Sequence, residues 1–167
     1  MDILVFLSLI PVIIVVWLFW TEFKGAGWQP VPSKTIKRAL ELTNVTRKDI
    51  FYDLGAGDGR VIIAAAKTRA KAVGIEIDPL RYLLCKLRLK IKHEENANAF
   101  LSDLFTVPLG NATVVFVYLR NWSNERLKRK FLAELKPGTR IITYHWPIRG
   151  WKPIAQDKEN ELWVYKI

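Results

Sequence analysis

Residues 50–59, Ile-Phe-Tyr-Asp-Leu-Gly-Ala-Gly-Asp-Gly, carry a short apolar and aromatic run into an acid and then three glycines at alternate positions. Such a run reads as a buried strand. Gly55, Gly57 and Gly59 let the following backbone turn with positive φ and approach a ligand that a Cβ would hold off. A strand entering such a turn and then a helix is the opening unit of an α/β fold, and the turn is a nucleotide-binding surface. The dinucleotide fingerprint, Gly-x-Gly-x-x-Gly, would need glycine where Arg60 stands. Asp53 and Asp58 would moreover repel a pyrophosphate. They suit a cationic ligand that bears hydroxyl groups.

A second acid in register argues against a turn that takes glycine only for its own geometry. Ala72-Val73-Gly74-Ile75-Glu76-Ile77-Asp78 is another apolar run ending in acid. It places Glu76 about twenty residues past the loop, at the tip of a second parallel strand, where a carboxylate accepts both hydroxyls of a ribose. The Asp-x-Gly-x-Gly-x-Gly pattern of Asp53–Gly59 resembles the loop of methyltransferases that use S-adenosylmethionine, a cofactor with an ammonium, a sulfonium and a ribose diol.

The rest of the chain alternates in the same way. Ser33 is placed to cap a helix in which Ile36, Ala39 and Leu40 share a face. Helices are expected over Val61–Thr68, Leu80–Lys92 and Asn124–Leu135, and strands at Ile50, Ala72–Asp78, Ala97–Leu101, Ala112–Leu119, Arg140–His145, Trp151–Ala155 and Leu162–Ile167. Strands separated by helices form a parallel sheet with right-handed crossovers. No helix separates the last two strands, so one of them is an antiparallel partner at the sheet edge.

In such a sheet the ligand lies over the carboxyl ends of the strands, where the strand order switches. Strand one brings Asp53 with Gly55, Ala56, Gly57 and Gly59, and strand two brings Glu76 and Ile77. Strand three ends in Ser102-Asp103-Leu104-Phe105. There Asp103 takes an adenine amino group and Leu104 or Phe105 packs on the ring, unless Asp103 is simply an Asx turn. Strand four ends in Tyr118-Leu119-Arg120-Asn121-Trp122, where donor and acceptor meet.

Ile3–Trp20 is eighteen residues without a charge, the minimum for one transmembrane helix. Asp2 and the absence of a small-residue cleavage site oppose a signal peptide. Residues 1–23 are thus expected to anchor the chain, with 24–33 as linker and 34–167 as one domain. Lys24, Lys34, Lys37 and Arg38 follow the span, which puts that domain on the cytoplasmic side, or the equivalent side in an organelle. The net charge of +10 gathers on the helices at 80–92 and 124–135, and attraction to anionic headgroups accounts for it. Nucleic acid is the less favoured partner, since the chain has no RNA-binding module or zinc-knuckle spacing. With one cysteine and two histidines, neither a disulfide framework nor a metal site is expected.

Several further segments stand in a characteristic order: Val31-Pro32-Ser33, Asp53–Arg60, Gly74–Pro79, Ser102–Phe105, Tyr118-Leu119, Leu135–Arg140 and Ile148–Trp151. Together they resemble the small seven-β-strand protein-lysine methyltransferases, both archaeal broad-specificity and membrane-bound mitochondrial types. The resemblance implies a Rossmann-like sheet of seven strands, mostly parallel with one antiparallel edge strand. It also implies S-adenosylmethionine held by Asp53, Gly55, Ala56, Gly57, Gly59, Glu76, Ile77, Asp103, Leu104 and Tyr118. Tyr118 and Asn121 become the catalytic candidates; Pro32, Ser33, Trp122 and Trp146 line the substrate's path. The implied substrate is a lysine on a protein in or near a membrane. An RNA or lipid-amine methyltransferase, or a cofactor-binding module without turnover, are the other readings. The chain departs from the pattern at Ser33-Lys34, where relatives carry Pro-Thr-Pro or similar, and at Arg120-Asn121-Trp122, where they carry smaller or apolar residues.

Overall fold

The computed structural model describes residues 8, 9, 11, 12 and 29–167, without the side chain of Trp122. The elements in chain order are α1 (Ser33–Leu42), β1 (Ile50–Leu54), α2 (Arg60–Ala66), β2 (Lys71–Glu76), α3 (Pro79–Ile91), β3 (Ala97–Leu101), β4 (Val114–Val117), α4 (Asn121–Glu134), β5 (Arg140–Tyr144), β6 (Ala155–Asp157) and β7 (Leu162–Lys166). The strands form one sheet in the order β3-β2-β1-β4-β5-β7-β6. The first five run parallel, and β7 runs against both β5 and β6, so the antiparallel edge is a hairpin. The order reverses between β1 and β4, which opens a crevice over their carboxyl ends.

Each sheet face has its own core. On one, Phe51, Phe116 and Ile142 pack with Ile36 of α1, Val61 and Ile62 of α2, and Cys85 and Leu89 of α3. On the other, Leu54, Val115 and Ile141 pack with Leu127 and Phe131 of α4 and with Leu109. All four residues of β4 are buried, as a central strand covered on both faces requires.

Boundaries moved for local reasons. The expected cap Ser33 is the first residue of α1 and caps nothing; Pro32 holds the N-cap position. Helix α2 ends at Ala66, two residues before the expected Thr68, as the Thr68 and Arg69 amides bond three residues back and Arg69 turns out at φ 68°. The strand expected over Ala112–Leu119 is reduced to four residues, because its partner β1 stops at Leu54 opposite Val117 and turns into the glycine loop. Trp151–Pro153 stay out of the sheet, in keeping with Pro153 having no N–H to donate, and the strand is Ala155–Asp157. Helix α4 begins three residues before the expected Asn124. The segment 3–20, expected to span a membrane, falls outside the described residues except at positions 8, 9, 11 and 12, as do 24–28 of the linker. Among the described residues no helix is long and apolar enough to cross a membrane.

Candidate active site

The glycine loop is pinned to its neighbour strand. The Gly55 and Ala56 amides donate to the Ile75 carbonyl at 2.8 and 2.9 Å, and Gly55, Gly57 and Gly59 all have positive φ. Gly59 also permits a close approach, since a Cβ there would lie 2.5 Å from Cys85 Sγ of α3. A Cβ on Gly57 would meet nothing within 4 Å, so this turn faces open space.

Three acids meet at the loop and differ in their partners. Glu76 is buried; its Oε2 accepts from the Gly57 amide at 2.7 Å, and its Oε1 accepts from the Ile77 and Asp78 amides, each at 2.9 Å. A carboxylate has about four lone-pair sites, so one remains for a ligand. Asp58 is buried as well, which alone would raise its pKa. Hydrogen bonds from Arg60 and the charge of Arg88, whose Nη1 lies 2.6 Å away, outweigh that and hold it below the usual carboxylate value. Its charge is thereby compensated by the protein itself. Asp53 has no such help: it is 2 % exposed, and its Oδ2 has no hydrogen-bond partner. Burial, then the neighbouring charges of Glu76 and Asp58, push its pKa up to about 8.

These groups line one cleft, with Gln29, Pro30, Val31, Arg81, Phe116, Tyr118 and Leu119 completing its wall. The segment at 29–31 is tied down by Arg60 Nη1 donating to the Val31 carbonyl at 3.2 Å and by the Tyr118 hydroxyl donating to Gln29 Oε1 at 2.7 Å. The Tyr118 and Tyr144 rings meet at 4.5 Å, tilted by 50°, and Tyr144, His145 and Trp146 continue as an aromatic row off the end of β5. Burial first, then neighbouring groups, raises the pKa of Tyr118 and Tyr144, so both stay neutral phenols.

Of the expected site residues, the fold brings Asp53, Gly55, Ala56, Gly57, Glu76 and Tyr118 into this wall. Gly59 shapes the loop from behind, and Ile77 offers its amide to Glu76. Asp103 lies outside the wall and closes an Asx turn, its Oδ1 accepting from the Phe105 amide at 2.9 Å. Leu104 packs beside the second core. Pro32 and Ser33 are exposed, and it is their neighbours 29–31 that face the cleft. Asn121 is exposed on the first turn of α4; Trp122 follows it, with its side chain outside the description. Trp146 is 39 % exposed, and its carbonyl accepts from Asn124 Nδ2 at 3.0 Å. Sequence reasoning missed Gln29, Arg81, Tyr144 and His145. The available signal for the last two was the Tyr-His-Trp run closing strand five, which neighbours strand four. Among the described residues no group of three or more His, Cys, Asp or Glu is arranged to hold a metal ion.

The cleft belongs to a region with known counterparts. The family model described as the ANTKMT methyltransferase domain matches residues 53–155. A protein-lysine N-methyltransferase of Saccharolobus islandicus (strain REY15A) is 44% identical over 128 residues, covering 74% of this chain and 79% of the relative. A lysine N-methyltransferase of Xenopus laevis, named for ATP synthase, is 29% identical over 143 residues, covering 83% of this chain and 62% of the relative, so the chain spans less than two thirds of that longer protein. Among solved structures, an RNA methyltransferase from Salinibacter ruber in complex with S-adenosyl-L-homocysteine superposes with a TM-score of 0.80 at 33% identity, covering 83% of this chain and 94% of its own.

Proposed function

Because the chain belongs to the ANTKMT methyltransferase domain family, and so is an S-adenosylmethionine-dependent methyltransferase, we propose that it methylates lysine side chains of a protein in or beside a membrane. In this reading residues 3–20 anchor the chain and residues 34–167 work on the cytoplasmic side, or the equivalent side in an organelle. The observation that carries the reading is the pair of buried carboxylates, Asp53 and Glu76, facing open space above Gly57 beside the Tyr118–Tyr144 pair.

Those residues fit the cofactor. An unpartnered buried carboxyl oxygen on Asp53 suits a cationic group, and the remaining acceptor site on Glu76 suits a hydroxyl. When bound, S-adenosylmethionine supplies an electrophilic methyl group on a sulfonium. The protein's part is to orient and to exclude water. The Tyr118 hydroxyl donates its hydrogen bond to Gln29 Oε1, so its oxygen lone pairs are left to accept an N–H from an incoming amine. Next to Tyr118, the half-buried Tyr144 ring replaces water on one side of the amine, which lowers its pKa and favours the neutral, reactive form, and His145 and Trp146 continue the row toward solvent. Asn121 and Trp122, just past Leu119, are assigned to the acceptor side, and Asp103 and Leu104 to the adenine side.

Tyr118→Phe tests the acceptor role. Loss of one hydrogen bond, about 1–2 kcal/mol, is expected to slow turnover roughly tenfold while leaving donor affinity nearly unchanged. Wild-type turnover would remove the hydroxyl from the mechanism. A second reading, an RNA acceptor, is favoured by the likeness to the Salinibacter structure and by the net charge of +10. Radiolabelled donor incubated with the full chain, membranes, soluble protein and RNA separates the readings. Label recovered as methyl-lysine from membrane protein supports the proposal, and label in RNA or lipid overturns it.

A further inference from the structure

Helix α3 has two apolar faces. Cys85 and Leu89 are buried against the sheet. Leu80, Leu83, Leu84, Leu87 and Ile91 point the other way and are 36% to 61% exposed. At about 100° per residue these five fall within an arc of about 100°, a continuous stripe with the width of a core-facing helix surface but with no described residue over it. Leu101, 49% exposed, stands on the α3 side of β3, the rim strand of the sheet, while Phe100 before it points to the opposite face. An uncovered patch of this kind marks an interaction surface.

Charge identifies the occupant. Helix α3 and its C-cap, residues 79–92, hold Arg81, Lys86, Arg88, Lys90 and Lys92 and no acid. By helical position Arg81 and Arg88 border one side of the stripe, where they pair with Asp78 and Asp58. Lys86 and Lys90 border the other side with no ion pair to a described residue, and Glu94 and Glu95 follow only after the helix has ended. A second copy docking stripe to stripe would bring these like-charged flanks together, which disfavours self-association. Leucines flanked on both sides by lysine and arginine match an anionic bilayer: such a helix lies in the interface plane with its apolar face roughly 5–10 Å into the headgroup boundary.

We propose that the Leu80–Ile91 stripe of α3 docks this domain on an anionic membrane surface, independently of residues 3–20. Arg81 lines the cleft and neighbours Leu80, so docking along α3 holds the cleft mouth beside the headgroups, within reach of an acceptor at the membrane surface. The surface does not depend on which acceptor is methylated.

The test uses the full chain in vesicles of zwitterionic lipid with or without phosphatidylglycerol, carrying an environment-sensitive fluorophore at Leu87→Cys or at Lys158→Cys. Lys158 is exposed in the turn between β6 and β7, at the opposite rim, and Cys85 is buried, so the introduced thiol takes the label. The expected result is a blue shift and quenching by brominated acyl chains at position 87 only, dependent on the anionic lipid and weakened by salt. No quenching at 87, or equal quenching at 87 and 158, overturns the proposal. A shift at 87 that needs no lipid and grows with protein concentration overturns it in favour of self-association. A shift at 87 that needs an added membrane protein rather than anionic lipid overturns it in favour of a protein partner.

Discussion

Asp53 is the residue on which the site's chemistry turns. Its buried, unpartnered carboxyl is pushed up to about 8 from an ordinary 3.8. With the folded value raised, Asp53's contribution to stability is complete below about pH 3.8. It declines as the pH rises to about 8, and is flat above that, because only the unfolded chain releases the proton in that window. A cation placed against Asp53 reverses its preference, so donor binding below pH 8 releases a proton and tightens as pH rises toward that value. Calorimetry in two buffers of different ionisation enthalpy is expected to detect the release, and Asp53→Asn to remove Asp53's share of it while making the empty domain more stable at alkaline pH. An unchanged release in the Asn variant would assign the proton elsewhere, for instance to the donor's own amine. The acid at this position was legible in the sequence from its place before the glycines. The compensation of Asp58 was legible only in part: Arg60, its main partner, stands two residues on, but Arg88 arrives from thirty residues away across the α2–α3 seam.

At the level of elements, the sheet faces are unequally covered: α1, α2 and α3 share one, while α4 is the helix on the other. Adjacent residues of α4 should therefore behave in opposite ways. Phe131 is 1% exposed and its truncation to Ala is expected to cost about 3–5 kcal/mol, whereas Leu132, 63% exposed, should change stability by no more than about 0.5 kcal/mol. Denaturant midpoints of the two variants check this. Most strands were legible because apolar runs between glycine, proline and polar turns are local signals. The ends were less so: β4 stops where its partner β1 stops, and that is a property of a pair rather than of a segment. Tyr144 and His145 were missed as the continuation of the aromatic row that starts at Tyr118 for a related reason, since their position follows from strand order, which no single segment encodes.

Taken whole, the molecule has two poles. The carboxyl ends of the strands hold the open cleft, and the amino ends are knotted by polar contacts. There Arg140 donates to the Thr43 and Asn44 carbonyls and pairs with Asp49, which also accepts from the Thr113 hydroxyl at 2.7 Å and the Thr46 amide at 2.8 Å. Burial tends to raise the Asp49 pKa, but these partners hold it below its ordinary value, so the contribution is present at neutral pH and is lost as acid protonates it. Arg140→Met is expected to cost about 1–3 kcal/mol in unfolding, with donor affinity unchanged because the knot lies at the other end of the strands from the cleft. A loss of affinity would mean the poles are coupled. Between them sits Cys85, the chain's only cysteine, with its sulfur against Gly59 where the donor loop enters α2. Burial first, then the charges of Asp53, Asp58 and Glu76, push it up to about 12, so it remains an unreactive thiol. A thiol reagent can reach it only when the α2–α3 seam parts, which makes its modification rate a stopwatch for breathing beneath the cofactor loop.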